Sequence, residues 1–260
     1  MTDRTLKKVT KRKNGVRPME QNVLTNMYET LGISKKVLDF AAELEEHLKT
    51  RFQEIDERAE FNQLKVIHAM QECRVSDIHF AATTGYGYND LGRDTLEEVY
   101  AHVFHTESAL VRPQLMSGTQ APHVALSGNL LPGDELLSPV GKPYDTLEEV
   151  IGIRDSVGSL KEYGISYRQV DLLPDGTFDY ENIAKAVNEK TKLVTIQRSK
   201  GYDPRPTFSV KQIGELIAFI KKIKPEVICM VDNCYGEFVE TIEPTDVGAD
   251  MIVGYMINNP

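Results

Sequence analysis

The sequence has few cysteines and none of the motifs that cysteines usually form. Cys73, Cys229 and Cys234 are widely spaced and include no Cys-x-x-Cys pair, so neither a zinc site nor a disulfide framework is indicated. No stretch approaches the roughly 20 apolar residues of a membrane span, and no apolar segment follows the basic N-terminus as a secretion signal requires. We therefore expect a cytoplasmic protein.

Two common phosphate-binding motifs are also missing. No Gly-x-Gly-x-x-Gly follows the first apolar run, and no Gly-x-x-x-x-Gly-Lys-Ser/Thr occurs anywhere, which argues against dinucleotide and P-loop sites. The formal net charge of -9 argues against a general nucleic-acid binder.

Residues 1–75 are predicted to form a helical N-terminal segment. Ser34 is a candidate N-cap, and a helix is predicted from about 36 to 61, with a second helical stretch from about 62 to 73 packed against it. Apolar residues recur there at steps of three and four, on one stripe of the first helix: Val37, Ala41, Leu44, Leu48, Phe52 and Ile55.

Residues 76–260 are predicted to form one large α/β domain. Short apolar runs alternate with helical patterns there, which implies a mostly parallel sheet with flanking helices and right-handed crossovers. Strands are expected at 114–116, 135–138, 166–172, 193–197, 227–231 and 251–256.

The run Val227–Val231 ends on a carboxylate, Asp232. Its unbroken apolar character, which includes Cys229, fits a strand that is covered on both faces. The carboxyl ends of such strands are where α/β sheets bind ligands. Asp232 could hold a magnesium ion, a ribose hydroxyl or the protonated ring nitrogen of pyridoxal phosphate.

Two further segments favour the last of these. Ser117-Gly118-Thr119-Gln120 is predicted to lie where a strand turns into a helix, so its backbone N–H groups can bind a phosphate. Tyr144 can stack on a planar ring. A glycine-rich loop that contains Tyr86, Tyr88 and Arg93 could grip a phosphate or carboxylate, although an ordinary surface loop has the same composition.

The chain resembles the aluminium-resistance or methionine gamma-lyase-like proteins, a pyridoxal-phosphate-dependent family of the cysteine and methionine metabolism group. The resemblance extends from about residue 22 to the end. It is carried by Gly85-Tyr86-Gly87-Tyr88 with residues 92–97, Arg112-Pro113-Gln114 with 117–119, residues 141–149, Gln197-Arg198-Ser199, and residues 231–238.

The resemblance implies a fold type I enzyme, a carbon–sulfur lyase of the methionine gamma-lyase or cystathionine beta-lyase type that acts on a small amino-acid substrate as a homo-oligomer. It implies that Gly118 and Thr119 bind the phosphate, Tyr144 stacks on the ring and Asp232 pairs with the ring nitrogen. Looser matches add Tyr86 and Tyr88, which would enter the neighbouring subunit's site, and Arg93 and Ser199 as further cofactor contacts.

The chain departs from the family pattern at two positions. Asn258 stands where the family has the Schiff-base lysine, and Tyr255 replaces a serine. An amide nitrogen is not a nucleophile, so we expect impaired catalysis, and Lys200 is the nearest other amine.

Relatives also continue into a small C-terminal domain that is absent here, so a fragment is expected. The alternatives are a non-catalytic remnant or partner subunit of an intact relative, and a nucleotide- or sugar-phosphate-binding domain.

Overall fold

A computed structural model describes residues 21–83 and 88–256. They fall into two compact units, one ending at Asp56 and the other beginning at Glu57. The first unit contains helix α1 (Gln21–Thr30) and the first part of helix α2 (Lys35–Glu72).

Helix α2 is one helix of 38 residues, so the prediction of two helical stretches broken near residue 62 was wrong. No glycine or proline interrupts α2, and nothing therefore forces a break. Asn62 interrupts the apolar pattern for another reason. It is buried, and its side-chain amide donates hydrogen bonds to the carbonyls of Phe238 (2.9 Å) and Glu240 (3.1 Å).

The second unit alternates helices and strands. Its helices are α3 (Leu91–Val103), α4 (Gln120–Asn129), α5 (Asp145–Ile151), α6 (Tyr180–Ala186) and α7 (Val210–Ile223). Its strands are β1 (Glu135–Ser138), β2 (Ser166–Gln169), β3 (Thr191–Gln197), β4 (Ile228–Asp232) and β5 (Met251–Val253).

The five strands form one parallel sheet in the order β2-β1-β3-β4-β5. This confirms the predicted α/β class and the mostly parallel sheet. The strand expected at residues 114–116 is not formed. The Leu115 N–H donates to the Arg112 carbonyl (3.0 Å) and the Met116 N–H to the Gln120 side chain (2.8 Å), so a turn uses the groups that a strand would pair.

Apolar side chains cover both faces of the central strands. Val194 and Ile196 of β3 pack with the buried face of α7, while Leu193 of β3 and Met230 of β4 pack with α4 and α5. Cys229 is fully buried, as predicted, and the three cysteines are unpaired. Across 21–83 and 88–256, no helix has both the length and the apolar character that a membrane span needs.

Candidate functional site

Asp232 ends β4 at the carboxyl edge of the sheet, where the sequence placed it. Its Oδ1 accepts a hydrogen bond from the Cys234 N–H (3.1 Å). Part of the residue remains accessible, but protein surrounds the carboxyl group closely enough for burial to raise its pKa. The Cys234 hydrogen bonds and the nearby Arg205 charge oppose that rise without cancelling it.

Gln197 ends β3 directly beside Asp232, because the two residues are partners in the β3–β4 register. It is buried, and its side chain links two loops. Its Oε1 accepts the Tyr144 N–H (2.7 Å), and its Nε2 donates to the Ser199 carbonyl (3.1 Å). The sequence prediction gave Gln197 no role. The sequence feature that could have identified Gln197 is a polar amide at the end of an otherwise apolar strand.

Tyr144 directly precedes α5, and the residue is 38% exposed. The ring centroid lies 5.9 Å from that of Tyr202, and a hydrogen bond with Tyr202 raises the pKa of Tyr144. Gly201 packs against Tyr144 and Gln197. A Cβ added at Gly201 would lie 3.5 Å from the Tyr144 ring and 3.4 Å from Gln197 Nε2. The loop after β3 therefore lies against Tyr144.

Thr119 and Gly118 lie at the start of α4, next to the start of α5. The hydroxyls of Thr119 and Thr146 are 2.7 Å apart. The open side of Gly118 faces the ring of Tyr255, which a Cβ added at Gly118 would meet at 3.5 Å. Tyr255 follows β5, and its N–H donates to Glu237 Oε1 (2.9 Å).

The structure thus connects five of the predicted site residues at one edge of the sheet. Tyr144 and Ser199 are hydrogen-bonded to Gln197, the register partner of Asp232. Thr119 is bonded to Thr146, two residues after Tyr144, and Gly118 packs beside Tyr255, which follows β5. What these residues bind stays a prediction.

The remaining predicted residues are placed differently. Tyr88 is 86% exposed, and the Arg93 guanidinium pairs with Asp90 (3.3 Å) in the first turn of α3. Tyr86 and Asn258 lie outside the described residues. The structure therefore does not test the predicted contact of Tyr86 or the role of position 258, where the family has its Schiff-base lysine.

Arg198 is a second residue that sequence reasoning missed. It is buried between β3 and the loop that follows Asp232. Its guanidinium donates to Asn233 Oδ1 (2.9 Å), to the Gly236 carbonyl (2.8 Å) and to Glu240 Oε1 (2.7 Å). Each bond reaches a different residue of that loop, so Arg198 fixes its path away from Asp232.

A cavity of about 790 Å³ adjoins this edge. It runs along β5 and the segment before α4, and Ser117, Asn233, Glu237 and Tyr255 line its end nearest Asp232. Burial raises the pKa of Glu237. Asp232 and Tyr144 do not line this cavity, so it is a neighbour of the connected residues rather than their own cleft. Within the described ranges, no cluster of three or more His, Cys, Asp or Glu side chains could hold a metal ion.

Known proteins resemble this chain over most of its length. The family model described as methionine gamma-lyase matches residues 37–260. The uncharacterized protein YnbB of Bacillus subtilis is 50% identical over 236 residues, which are 90% of this chain and 56% of that protein.

Two solved structures extend the comparison. A Listeria monocytogenes protein, described provisionally as a cystathionine beta-lyase involved in aluminium resistance, is 55% identical with a TM-score of 0.84, over 86% of this chain and 57% of that one. The pyridoxal-5'-phosphate-dependent protein YhfS of Escherichia coli shares the fold at 19% identity and a TM-score of 0.56, over 74% and 48% of the two chains. The chain spans about half the length of these proteins.

Proposed function

The chain belongs to the methionine gamma-lyase family and has the fold of fold type I pyridoxal-phosphate enzymes, and we propose that its carboxyl-edge site binds pyridoxal phosphate as part of a carbon–sulfur lyase. The observation that supports the proposal is the series of contacts at one edge of the sheet: Asp232 lies beside Gln197, Gln197 accepts the Tyr144 N–H, and Thr119 bonds to Thr146 in the turn that Tyr144 begins. The substrate class is a sulfur-containing amino acid, as the name of the Listeria relative suggests.

The chemistry of these side chains fits three parts of the cofactor. A carboxylate at the strand end suits a protonated ring nitrogen, a partly exposed aromatic side chain suits the ring, and the hydroxyl of Thr119 at the start of α4 suits a phosphate. The fit is less complete at Gly118, because the Tyr255 ring occupies the space beside its open side. The Thr119 hydroxyl is therefore the stronger phosphate ligand in this arrangement, because the Gln120 N–H already donates to Ser117.

Each residue has a separate task in the proposed site. When bound, pyridoxal phosphate supplies a ring that accepts electrons from the substrate. Asp232 holds a proton at the ring nitrogen, which requires the carboxylate to be ionised. Gln197 holds the Tyr144 backbone in place, and the Tyr144 ring would stack on the cofactor ring. Ser199 lies at the other end of the same Gln197 bridge.

Asn258 limits what this site can do. An amide cannot attack a carbonyl carbon and cannot carry a proton between substrate atoms, whereas a lysine amine does both. We therefore propose that the cofactor is held by non-covalent contacts alone and that turnover is impaired. The same substitution favours, as a second candidate, a non-catalytic role beside an intact relative.

Titration with pyridoxal phosphate tests the binding proposal, with cofactor absorbance and fluorescence as readouts. Asp232→Asn keeps the shape and removes the charge, so the dissociation constant should rise about tenfold or more, as expected for a lost charge-assisted hydrogen bond. Asp155→Asn is the matched control, because Asp155 is an exposed carboxylate in another loop. Its affinity should equal that of the unmodified chain.

Thermal shift separates this proposal from a nucleotide-binding domain. A ligand that binds only the folded state raises the melting temperature. Pyridoxal phosphate should do so, and ATP and NAD should not. A shift with a nucleotide alone, or equal affinities for Asp232→Asn and the unmodified chain, would refute the proposed site.

A further inference from the structure

Arg205 lies in the loop that follows β3, between two prolines. A proline fixes its own φ angle and restricts the residue before it, so Pro204 and Pro206 limit the backbone on both sides of Arg205. The Pro206 ring also packs against Gly176, where an added Cβ would lie 2.9 Å from Pro206 Cδ. The loop therefore fixes the point from which the Arg205 side chain extends.

The Arg205 guanidinium joins the ends of two strands. Its Nη1 donates to the carbonyl of Val140, which follows β1 (3.3 Å). Its Nη2 donates to the carbonyls of Gln197 (3.1 Å) and Ser199 (2.6 Å), at and after the end of β3. Since Gln197 is the register partner of Asp232, these bonds place the Arg205 charge beside the strand end that carries Asp232.

Hydrogen bonding does not use all that an arginine offers at this position. The three partners are neutral carbonyl oxygens, and a neutral amide could donate to such groups as well. The Arg205 Nε is buried and has no hydrogen-bond partner among the described residues, which destabilises a fold. What the arginine adds to the bonds is a full positive charge.

The carboxyl group that gains from this charge is Asp232. Burial raises the pKa of Asp232, and the Cys234 hydrogen bonds and the Arg205 charge lower it. The effect is mutual: burial lowers the pKa of Arg205, and the charges of Asp203 and Asp232 raise it. An arginine stays protonated wherever a carboxylate titrates, so its support for the ionised form of Asp232 is permanent.

Two other titratable groups lie near Asp232, both on the loop after β4. They are Cys234 and Glu237, and burial raises the pKa of each, with a further contribution from the Asp232 charge. Either group, when ionised, repels a charged Asp232. Within the described part of the chain, Arg205 is the cation that acts on the Asp232 carboxyl group.

We propose that Arg205 is a positioning residue of the carboxyl-edge site, which ties the ends of β1 and β3 together beside Asp232 and keeps the Asp232 carboxylate ionised for a protonated ring nitrogen. The ligand in this inference rests on the proposed function. The coupling between Arg205 and Asp232 belongs to the chain alone and can be measured without cofactor.

Thermal unfolding at pH 8 tests the coupling without cofactor. The unmodified chain is compared with Asp232→Asn, with Arg205→Gln, which keeps amide donors but no charge, and with the double variant. An ionised Asp232 that has lost its cation costs the fold more, so Asp232→Asn should raise the melting temperature by more in the Arg205→Gln background. Arg205→Lys keeps the charge and should give a gain close to that in the unmodified background.

Two results of this comparison would overturn the inference. The first is an equal gain from Asp232→Asn in the Arg205→Gln and unmodified backgrounds. The second is failure of both Arg205→Gln and the double variant to fold, which would show that Arg205 acts on the fold without Asp232.

Titration with pyridoxal phosphate tests the consequence for binding. Arg205→Gln should raise the dissociation constant about tenfold at pH 6 and by less at pH 8, because an Asp232 without its cation is protonated more readily. In the Asp232→Asn background the same substitution should change the dissociation constant by less than about twofold. A residue that only holds the loop would cause the same loss in both backgrounds.

Arg168→Gln is the matched control. Arg168 pairs with Glu135 (3.1 Å), which begins β1 at the opposite edge of the sheet, so its loss should lower stability and leave the pH dependence of cofactor binding unchanged. A chain that binds no pyridoxal phosphate but shows the larger thermal gain would refute the proposed function and keep the coupling of Arg205 with Asp232. A chain that binds it, with equal losses in both backgrounds, would overturn the inference and keep the proposed function.

Discussion

Gln197 and Asp232 stand side by side in register at the ends of β3 and β4. The apolar side chains of both strands are buried, and the two strands end on polar side chains. At the end of β3, the Gln197 side chain hydrogen-bonds two loops. At the end of β4, Asp232 places a carboxylate. The candidate site therefore depends on residues that organise backbone as well as on residues that would touch a ligand.

Gln197→Leu should destabilise the fold and weaken cofactor binding. Leucine has a similar volume but cannot hydrogen-bond, so the Tyr144 N–H and the Ser199 carbonyl lose their partner. An unsatisfied, largely buried polar group costs about 1–3 kcal/mol of the free energy of unfolding, and urea denaturation measures the loss. Gln71→Leu, at an exposed position on α2, should change that free energy by less than about 0.5 kcal/mol.

Gln197→Glu keeps one of the two hydrogen bonds of Gln197 and removes the other. A carboxylate can still accept the Tyr144 N–H but has no proton to donate to Ser199. Because Gln197 is buried beside Asp232, an ionised carboxylate there also repels Asp232. The free energy of unfolding of Gln197→Glu should therefore fall below that of the unmodified chain at neutral pH and recover in part at low pH, where a carboxyl group is protonated. If Gln197→Leu proves as stable as Gln71→Leu, the bridge between the loops contributes nothing to the fold.

Some of this structure could be predicted from the sequence because apolar periodicity reports burial. Strand β1, helix α7 and the strand that ends at Asp232 follow from that pattern. Gln197 and Arg198 could not be assigned, because a buried polar side chain is recognised by its partners, and those partners are distant in sequence. The strand expected at 114–116 failed for a related reason, since a strand exists only where another strand pairs with it.

Asp232→Asn should make the fold more stable at neutral pH. Burial raises the pKa of Asp232, so the folded state binds a proton at Asp232 more readily than the unfolded state does. Its ionised carboxylate then opposes folding, and the penalty grows as the pH rises from the ordinary pKa of Asp to the raised pKa. The variant should melt above the unmodified chain near pH 8, and the gap should close as the pH falls below the ordinary range of Asp.

Asp175→Asn gives the opposite sign and serves as the control. Hydrogen bonds from Thr177 lower the pKa of Asp175, so its ionised form favours folding, and replacing it should lower stability slightly at neutral pH and not at low pH. Part of the Asp232→Asn gain should come through Glu237, whose pKa the Asp232 charge helps to raise. A gap between Asp232→Asn and the unmodified chain that widens as the pH falls would contradict this account.

Gly236→Ala should destabilise the loop after Asp232. A Cβ at Gly236 would lie 2.6 Å from Arg198 Nη1 and 2.6 Å from Asn233 Oδ1, and both side chains are held by buried hydrogen bonds. Overpacking of this kind costs about 1–3 kcal/mol. Gly128→Ala is the matched control: Gly128 lies in α4 with nothing within 4 Å of an added Cβ, so alanine should stabilise by up to about 1 kcal/mol. Thermal and urea unfolding of both variants compare the two effects.

The last prediction concerns Asn258 and the amine that it replaces. Mixed with pyridoxal phosphate and borohydride, the unmodified chain should carry no reduced adduct on the peptide that contains position 258, because an amide does not attack the cofactor's aldehyde. Asn258→Lys should acquire such an adduct. It should still release no keto acid from cysteine, cystathionine or methionine, because the Tyr255 ring beside Gly118 restricts the phosphate end of the proposed site.

Adding Tyr255→Ser to Asn258→Lys tests that reason directly. Removing the ring opens the space beside Gly118, so the double variant should bind pyridoxal phosphate more tightly than Asn258→Lys alone, by about tenfold if one phosphate hydrogen bond is gained. Tyr163→Ser is the control, since Tyr163 is 64% exposed in the loop between α5 and β2, and it should leave the affinity of Asn258→Lys unchanged. A reduced adduct on Lys200 of the unmodified chain, together with turnover, would show that another amine serves in place of position 258 and that the chain is not impaired.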